Sequence, residues 1–256
     1  MGDSGRPCSC SHVPVLIPNQ EALPCGATIL GVVLSSNKTN ISIMSGNCMA
    51  HLLLISLANI NMCICSKTSL HAYLLLALLP IAKFTHKMTC VRSLLQDRLV
   101  HQALNIVLSP LKTAATIGIM MSDPVGNLHY CFTPLAAWIA DTPKESLLAA
   151  TGLKSSPVTT VMSKNFGDTY QHPPHTATDT LTAIHDACLQ CSLMDYMNFI
   201  KVIRKLGLNS IINPFWVDWL LLPLITSSLL SSYIISIIFP GTTTQSGISQ
   251  LLVLPS

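Results

Sequence analysis

The feature that most constrains the fold is a long segment with helical periodicity, VRSLLQDRLVHQALNIVLSPLKTAATIG, at residues 91–118. The apolar positions at the spacing of one helix face are Leu94, Leu95, Leu99, Leu104, Val107 and Leu108. The polar side chains expected on the other side are Arg92, Asp97, Arg98 and His101. Because a proline disfavours helical backbone in the residue before it, Ser109-Pro110 is expected to end or kink the helix. The segment therefore predicts an amphipathic helix whose apolar face covers another layer.

Short apolar runs ahead of this helix are typical of β-strands. Residues 26–36, GATILGVVLSS, form a β-rich run bounded by Gly and Ser, which predicts a buried strand. The run NISIMSG at 40–46 alternates apolar and polar side chains, which predicts a half-exposed strand. The run HLLLISLANI at 51–60 is a candidate third strand, and residues 69–82 are predicted as a short apolar helix.

Two more runs follow the long helix. The stretch GIMMSDPVGNLHYCF at 118–132 is typical of two strands joined by a turn that begins at Asp123 and ends at Gly126. The stretch PLAAWIADTPKE at 134–145 is an apolar run that ends on Asp141. Strands, then helices, then a strand ending on an acid predict a mixed α/β domain, with one sheet covered by helices.

Composition bears on whether the chain meets lipid. Hydrophobic residues make up 50% of the chain, charged residues 10%, and mean hydropathy is +0.52, whereas soluble proteins carry about 25% charged residues. Residues 219–239 hold no charge over 21 positions, the length of a membrane helix, and Trp216 precedes them at an expected interface position. Serines and Pro223 weaken this run as a span. A membrane helix and a non-spanning segment both remain open.

Cysteine spacing does not predict a zinc site. The close pairs are Cys8/Cys10, Cys63/Cys65 and Cys188/Cys191. Structural zinc sites need two such pairs about 12 to 20 residues apart, and these pairs are not so spaced. Cys188 and Cys191 are predicted to be buried reduced thiols on a helix. The sequence shows no pattern of a small-molecule substrate site.

Asn37 and Asn40 begin two overlapping Asn-x-Ser/Thr triplets, which are glycosylation acceptors in exported chains. The first 25 residues contain no apolar export signal, so these triplets are expected to stay unmodified.

Asp141 is the candidate catalytic residue because α/β folds place metal ligands and catalytic groups just past buried strand ends. The alternative is structural, since an aspartate before Thr142-Pro143 is also a typical helix N-cap. Local sequence favours the cap.

The block MMSDPVGNLHYCFTPLAAWIADTPKE at 120–145 resembles the Plavaka-type transposases of fungi, relatives of the CACTA group. The resemblance extends over residues 26–219. It implies a DDE-type catalytic domain with a partial RNase H-like sheet, in which acidic residues hold two Mg²⁺ ions and a phosphodiester of DNA is cleaved. It also implies a DNA partner, a nuclear location, and Asp141 as the second acid and metal ligand.

The chain departs from the family pattern at the first acid. The stretch matching residues 34–39 reads Ser-Asp-Lys-Thr in the family, and here that aspartate is Asn37. An amide has the shape of the carboxylate without its charge, and a hard dication bound through few carboxylates loses affinity when one is neutralised. The resemblance therefore implies a degenerate site and an inactive enzyme.

A second departure lies near the C-terminus. If the family heptad Trp-Asp-His-Asp-Ala-Lys-Trp is written with the codons TGG GAC CAC GAC GCA AAG TGG and read one nucleotide later, it translates as GTTTQSG, the stretch at 241–247. We expect a frameshift near Leu220, which makes the chain a fragment of a transposable element. The predicted parts are an unstructured segment at 1–25, a partial catalytic domain at 26–219 and a hydrophobic tail at 220–256. The alternative is a single-pass membrane protein anchored by residues 219–239.

Overall fold

The computed structural model describes residues 24, 26–40, 49–65, 67–157, 159–170, 172–192 and 194–219. The predicted unstructured segment and the predicted tail lie outside these residues, apart from residue 24, and so does the 40–46 strand beyond its first residue. The candidate membrane span at 219–239 lies outside them except for Trp219. Within the described ranges, no helix is both long and apolar enough to cross a bilayer.

The main sheet has four strands and holds the candidate site at one end. Its strands are β2 (Val32–Asn40), β3 (Met49–Leu57), β4 (Leu74–Leu79) and β7 (Leu135–Ile139), in the order β4-β3-β2-β7. Neighbours β4, β3 and β2 are antiparallel, whereas β2 and β7 are parallel. The strands predicted from the first and third apolar runs are confirmed, as is the mixed α/β class.

The helix predicted within residues 69–82 is wrong. This run begins with a single 3-10 turn at Thr68–Leu70 and continues as strand β4, which pairs with β3. A short run of Leu and Ala has no polar residues to mark a period, so its pattern cannot separate strand from helix. Pairing with the neighbouring strand decides the conformation.

A second, smaller sheet contains β1 (Thr28–Ile29), β6 (Leu128–Phe132) and β5 (Ile119–Ser122) in that order. Strands β5 and β6 form the predicted hairpin, and its turn begins at Asp123 as expected. The Asp123 carboxylate accepts from the backbone N–H groups of Val125 and Asn127 at 2.9 and 2.8 Å. The hydrogen bonds with Asn127 lower the pKa of Asp123 to about 2. Gly126 closes the turn with a φ of 97°, a conformation that favours glycine.

The described residues include four helices of seven residues or more. They are α2 (Thr89–Ile117), α3 (Thr142–Leu148), α4 (Ala177–Gln190) and α5 (Tyr196–Lys205), and α1 (Met62–Cys65) is a single turn. Helix α2 matches the predicted amphipathic segment but runs through Pro110. Of the two expected outcomes at Ser109-Pro110, an end of the helix is therefore wrong, and a kink stays a prediction. Pro110 is exposed, and so is Ile106, whose carbonyl loses its helical partner there.

His101 was predicted to lie on the polar side of α2, but it is buried in the core between α2 and the main sheet. His101 is only 1% exposed, so this prediction is wrong. Its Nδ1 accepts a hydrogen bond from the backbone N–H of Phe215 at 3.1 Å, and its Nε2 lies 3.0 Å from the Leu147 carbonyl. Because Nδ1 is an acceptor, the proton is on Nε2, which donates to that carbonyl. His101 thus ties α2 to α3 and to the segment after α5.

Two tryptophans close the same core. Trp216 and Trp219 are 3% and 4% exposed. The Trp216 indole donates to the Leu148 carbonyl at 2.9 Å, and the Trp219 indole donates to the Thr133 carbonyl at 3.3 Å. The interpretation of Trp216 as a membrane-interface residue is therefore wrong, since both rings are buried within the protein with their N–H groups bonded.

A second core cluster joins α2 to α4 and α5. Phe199, Ile200 and Ile203 are buried on the inner face of α5, while Lys201 and Arg204 are exposed. The predicted amphipathic helix is confirmed, although Leu206, expected on the apolar side, is 43% exposed just after the helix ends.

Candidate functional site

Asn37 and Asp141 lie at the same end of the main sheet. Strands β2 and β7 are parallel, and their last paired residues are Ser35 and Ile139. Asn37 and Asp141 each follow two positions later in their strands' direction. Parallel neighbours end at the same edge, so the structure brings these two predicted site residues to adjoining strand ends. Both side chains are exposed.

Asp141 is also a helix cap. It has an extended backbone, and its carboxylate Oδ1 accepts from the backbone N–H of Lys144 at 3.2 Å, in the first turn of α3. The structural interpretation of Asp141 as an N-cap is therefore confirmed. One carboxylate oxygen is already used by the protein, and the other has no hydrogen-bond partner among the described residues.

Lys144 lies near this aspartate. Burial lowers the pKa of Lys144, the charge of Lys38 lowers it further, and the charges of Asp141 and Asp97 raise it. Lys144 is therefore near enough to each of these three residues to feel its charge. Lys38 is exposed and Lys144 is half-buried, so both ammonium groups can reach solvent at the strand ends.

His51 is a buried, neutral ring near Lys38 and Lys144. It pairs across the sheet with Lys38 and is 2% exposed. Burial, followed by the charges of Lys144 and Lys38, lowers its pKa to about 4. At neutral pH His51 therefore carries no charge, and its Nε2 has no partner in the described structure.

Asp97 is a site neighbour that sequence reasoning missed. It is half-buried on α2, close enough to Lys144 for each to affect the pKa of the other, and burial raises its own pKa to about 6. The helix pattern had placed Asp97 on the outer side with Arg92. In the sequence, only the position of Asp97 next to the apolar face of the helix suggested that it could be partly buried. That position does not predict which part of the sheet Asp97 lies near.

Glu145 follows Lys144 and is fully buried. It is 0% exposed, neither carboxylate oxygen has a hydrogen-bond partner, and burial raises its pKa to about 7. No charged neighbour contributes to that change, so Glu145 is isolated from the lysine pair. A buried carboxyl without partners favours its protonated form.

The donor set at the strand ends does not fit a pair of Mg²⁺ ions. No three His, Cys, Asp or Glu residues of the described ranges are close enough to share a metal. Asn37 is neutral, Asp141 accepts a hydrogen bond from a backbone amide through one oxygen, and the positive charge of Lys144 lies near Asp141. Hard dications need several oxygen ligands with negative charge. Cys188 and Cys191 are free thiols; Cys191 is buried as predicted, whereas Cys188 is only partly buried, so the prediction of burial is wrong for Cys188.

We expect Asp141→Ala to lower the free energy of unfolding by about 1 kcal/mol, because the first turn of α3 loses its cap. Asp141→Asn is the matched control, since asparagine caps equally well and should leave stability nearly unchanged. Chemical unfolding followed by tryptophan fluorescence measures both. Equal destabilisation by the two variants would contradict the capping role.

Comparison with known proteins identifies a family. The family model described as Plavaka transposase matches residues 15–229. Neither the curated proteins nor the solved structures give a significant match.

Proposed function

We propose that this chain, which belongs to the Plavaka transposase family, is a DNA-binding remnant of a transposase catalytic domain that does not cut DNA. The family implies DNA as the partner, action in the nucleus and a general dependence on divalent metal. Its catalytic site, by the resemblance, should contain Asp141 and an acid at position 37.

The strand order supports a partial RNase H-like sheet. In that fold an antiparallel meander of three strands is joined through a helix to a fourth strand, which lies parallel to the first. Here β2, β3 and β4 form the meander, α2 follows them, and β7 lies parallel to β2. The smaller hairpin sheet lies between α2 and β7 in the chain.

One observation carries the proposal of inactivity, namely that an amide stands at the end of β2 where the first metal-binding acid is expected. Asn37 and Asp141 occupy adjoining ends of parallel strands, as two acids of such a site would. Two-metal phosphoryl transfer requires carboxylates that bind both ions and neutralise their charge. The neutral amide of Asn37 and the positive charge of Lys144 near Asp141 support the proposal of inactivity.

A nicking assay tests this proposal. Purified full-length chain, incubated with supercoiled plasmid and Mg²⁺ or Mn²⁺, is expected to give no more nicked circle than its Asp141→Asn variant. Asparagine preserves the cap of α3, so this control removes the carboxylate charge without unfolding the helix. Metal-dependent nicking that disappears in Asp141→Asn would overturn the proposal.

The Asn37→Asp variant extends the test to the site itself. Restoring the carboxylate is expected to increase Mn²⁺ affinity, measured by quenching of tryptophan fluorescence or by calorimetry, relative to the unmodified chain. Asn37 is exposed, so the substitution leaves the core intact. Unchanged Mn²⁺ affinity would show that position 37 is not a ligand position.

The C-terminal tail at 220–256 remains a prediction. The family match ends at residue 229, beyond the predicted boundary at 219. Sequencing the locus decides the matter: a one-base correction that fails to restore the family segment after Trp219 would exclude the frameshift.

A further inference from the structure

The main sheet has two faces, and α2 packs against one of them. Side chains alternate between the faces along a strand, and directly paired residues of neighbouring strands lie on the same face. Leu34, Leu53 and Trp138 mark the face under α2, because they belong to one core cluster with Leu104 and Leu108 of that helix. All five side chains are at most 3% exposed.

The opposite face, which we call the open face, is also apolar. Ser35 pairs with Leu54 and Asn37 pairs with Leu52, and both leucines pair onward with leucines of β4. On its other side, Ser35 pairs with Ile139 of β7. The large apolar residues of the open face are Val33, Leu52, Leu54, Leu75, Leu78 and Ile139.

These large side chains stay accessible in the described part of the chain. Leu75 and Leu78 are 58% and 60% exposed, and the other four residues are half-buried. Only short side chains of this face, such as Ala137, are buried. None of the six large residues belongs to, or packs against, either core cluster of the described residues. An apolar patch of this kind marks a surface that another segment or another molecule covers.

The chain that continues after Trp219 starts at an edge of the same sheet. The Trp219 indole donates to the carbonyl of Thr133, just before β7 begins at Leu135, and β7 is an edge strand. Residues 220–239 follow and contain no charged residue. The family match continues to residue 229, so the matched region does not end where the described residues end.

This run is long enough to reach across the open face. The outer strands β7 and β4 are about 14 Å apart, since neighbouring strands lie about 4.8 Å apart. Twenty residues span about 30 Å even as a helix, and more when extended. The chain before β1 is a poorer candidate, because residues 1–23 carry Asp3, Arg6 and Glu21 and lead to the smaller sheet.

We propose that residues 220–239 pass around the edge of β7 and pack against the open face of the main sheet. Burial of apolar surface is non-directional, so this packing requires apolar side chains within reach and no particular order of them. Attachment to the same chain gives the run an effective concentration in the millimolar range, which favours it over a second copy of the protein. The packing depends neither on DNA nor on the strand-end site.

Photo-cross-linking in the full-length chain tests the packing. The photoreactive residue p-benzoylphenylalanine replaces Leu78, whose exposure leaves room for a larger side chain. The chain is irradiated in buffer without detergent, and chymotryptic peptides are identified by mass spectrometry. We expect a cross-link from position 78 to residues 220–239 of the same chain. The matched control carries the photoreactive residue at Leu128, which is 70% exposed on the smaller sheet, and should give no such cross-link.

A charge on the open face provides a second measurement. Leu54→Asp places a carboxylate under the proposed contact, where its burial is costly, and is expected to reduce the cross-link from position 78 about tenfold or more. Leu54→Met keeps the position apolar and should keep the yield. Circular dichroism checks that the variants are folded. If Leu54→Asp unfolds the chain, Leu75→Asp, at an exposed position of the same face, is expected to reduce the yield instead.

Three outcomes would overturn the inference. A cross-linked dimer on a denaturing gel would show that a second copy covers the open face. Loss of the cross-link when phosphatidylcholine vesicles are added would show that the run enters a bilayer instead. A yield from position 78 no higher than that from position 128 would show that residues 220–239 do not lie on this face.

Discussion

Glu145→Met is expected to raise the free energy of unfolding by about 3 kcal/mol above pH 7, because it removes a carboxyl that ionises at a cost inside the core. Burial raises the pKa of Glu145 from 4.5 to about 7. The native state therefore holds the proton more tightly than the unfolded chain does. The penalty is absent below about pH 4.5, grows as pH rises, and is complete above about pH 7.

Urea unfolding at several pH values measures this effect. Glu145→Gln is the matched control, since it removes the ionisation but leaves a buried amide whose atoms lack partners, and its gain should be smaller. Asp186→Asn on the exposed side of α4 should change nothing. A stabilisation by Glu145→Met that is the same at pH 4.5 and above pH 7 would show that Glu145 does not titrate as described.

His101→Leu is expected to lower the free energy of unfolding by about 3 kcal/mol at neutral pH. The substitution leaves the Phe215 N–H buried without an acceptor, which costs about 1 to 3 kcal/mol, and it removes the donor to the Leu147 carbonyl. It also removes the ring contact with Phe215, whose centroid lies 5.5 Å away. The same change at the exposed His185 should be nearly neutral.

His101 also makes the fold sensitive to acid. Burial lowers its pKa from 6.5 to about 4, because the native state accommodates only the neutral ring. Its contribution is therefore complete above pH 6.5 and is lost as pH falls towards 4. The difference in stability between the unmodified chain and His101→Leu should shrink over this interval. A difference that is independent of pH would contradict the neutral, doubly bonded ring.

The sequence predicted correctly those elements whose conformation depends on residues close together in the chain. The amphipathic period of α2, the turn chemistry of Asp123 and Gly126, and the cap at Asp141 are all short-range, and the structure contains each. Strand β4 was missed because an unbroken apolar run has no period, and pairing with β3 selected its conformation. Pro110 was expected to end or kink α2, and the helix continues through it. Both Pro110 and Ile106, whose carbonyl loses its helical partner, are exposed residues.

The residues of the candidate site were also only partly predictable from the sequence. Resemblance to the family pointed to Asn37 and Asp141, and the parallel pairing of β2 with β7 places them at adjoining strand ends. Nothing in the local sequence indicated that Asp97 and Lys144 would meet there, since they come from α2 and α3. Whether residues from two helices lie near each other depends on how each helix packs against the sheet.

The sequence by itself determined the family, the α/β class and the cap of α3. These depend on residue identity and on neighbours within one turn or strand. Only the tertiary structure decided that His101 and Glu145 are buried, that Trp216 and Trp219 close the core, and that Asp97 of α2 lies near Lys144 of α3. Burial and electrostatic interaction act through space between distant segments, and so they appear only when the sheet and helices have packed.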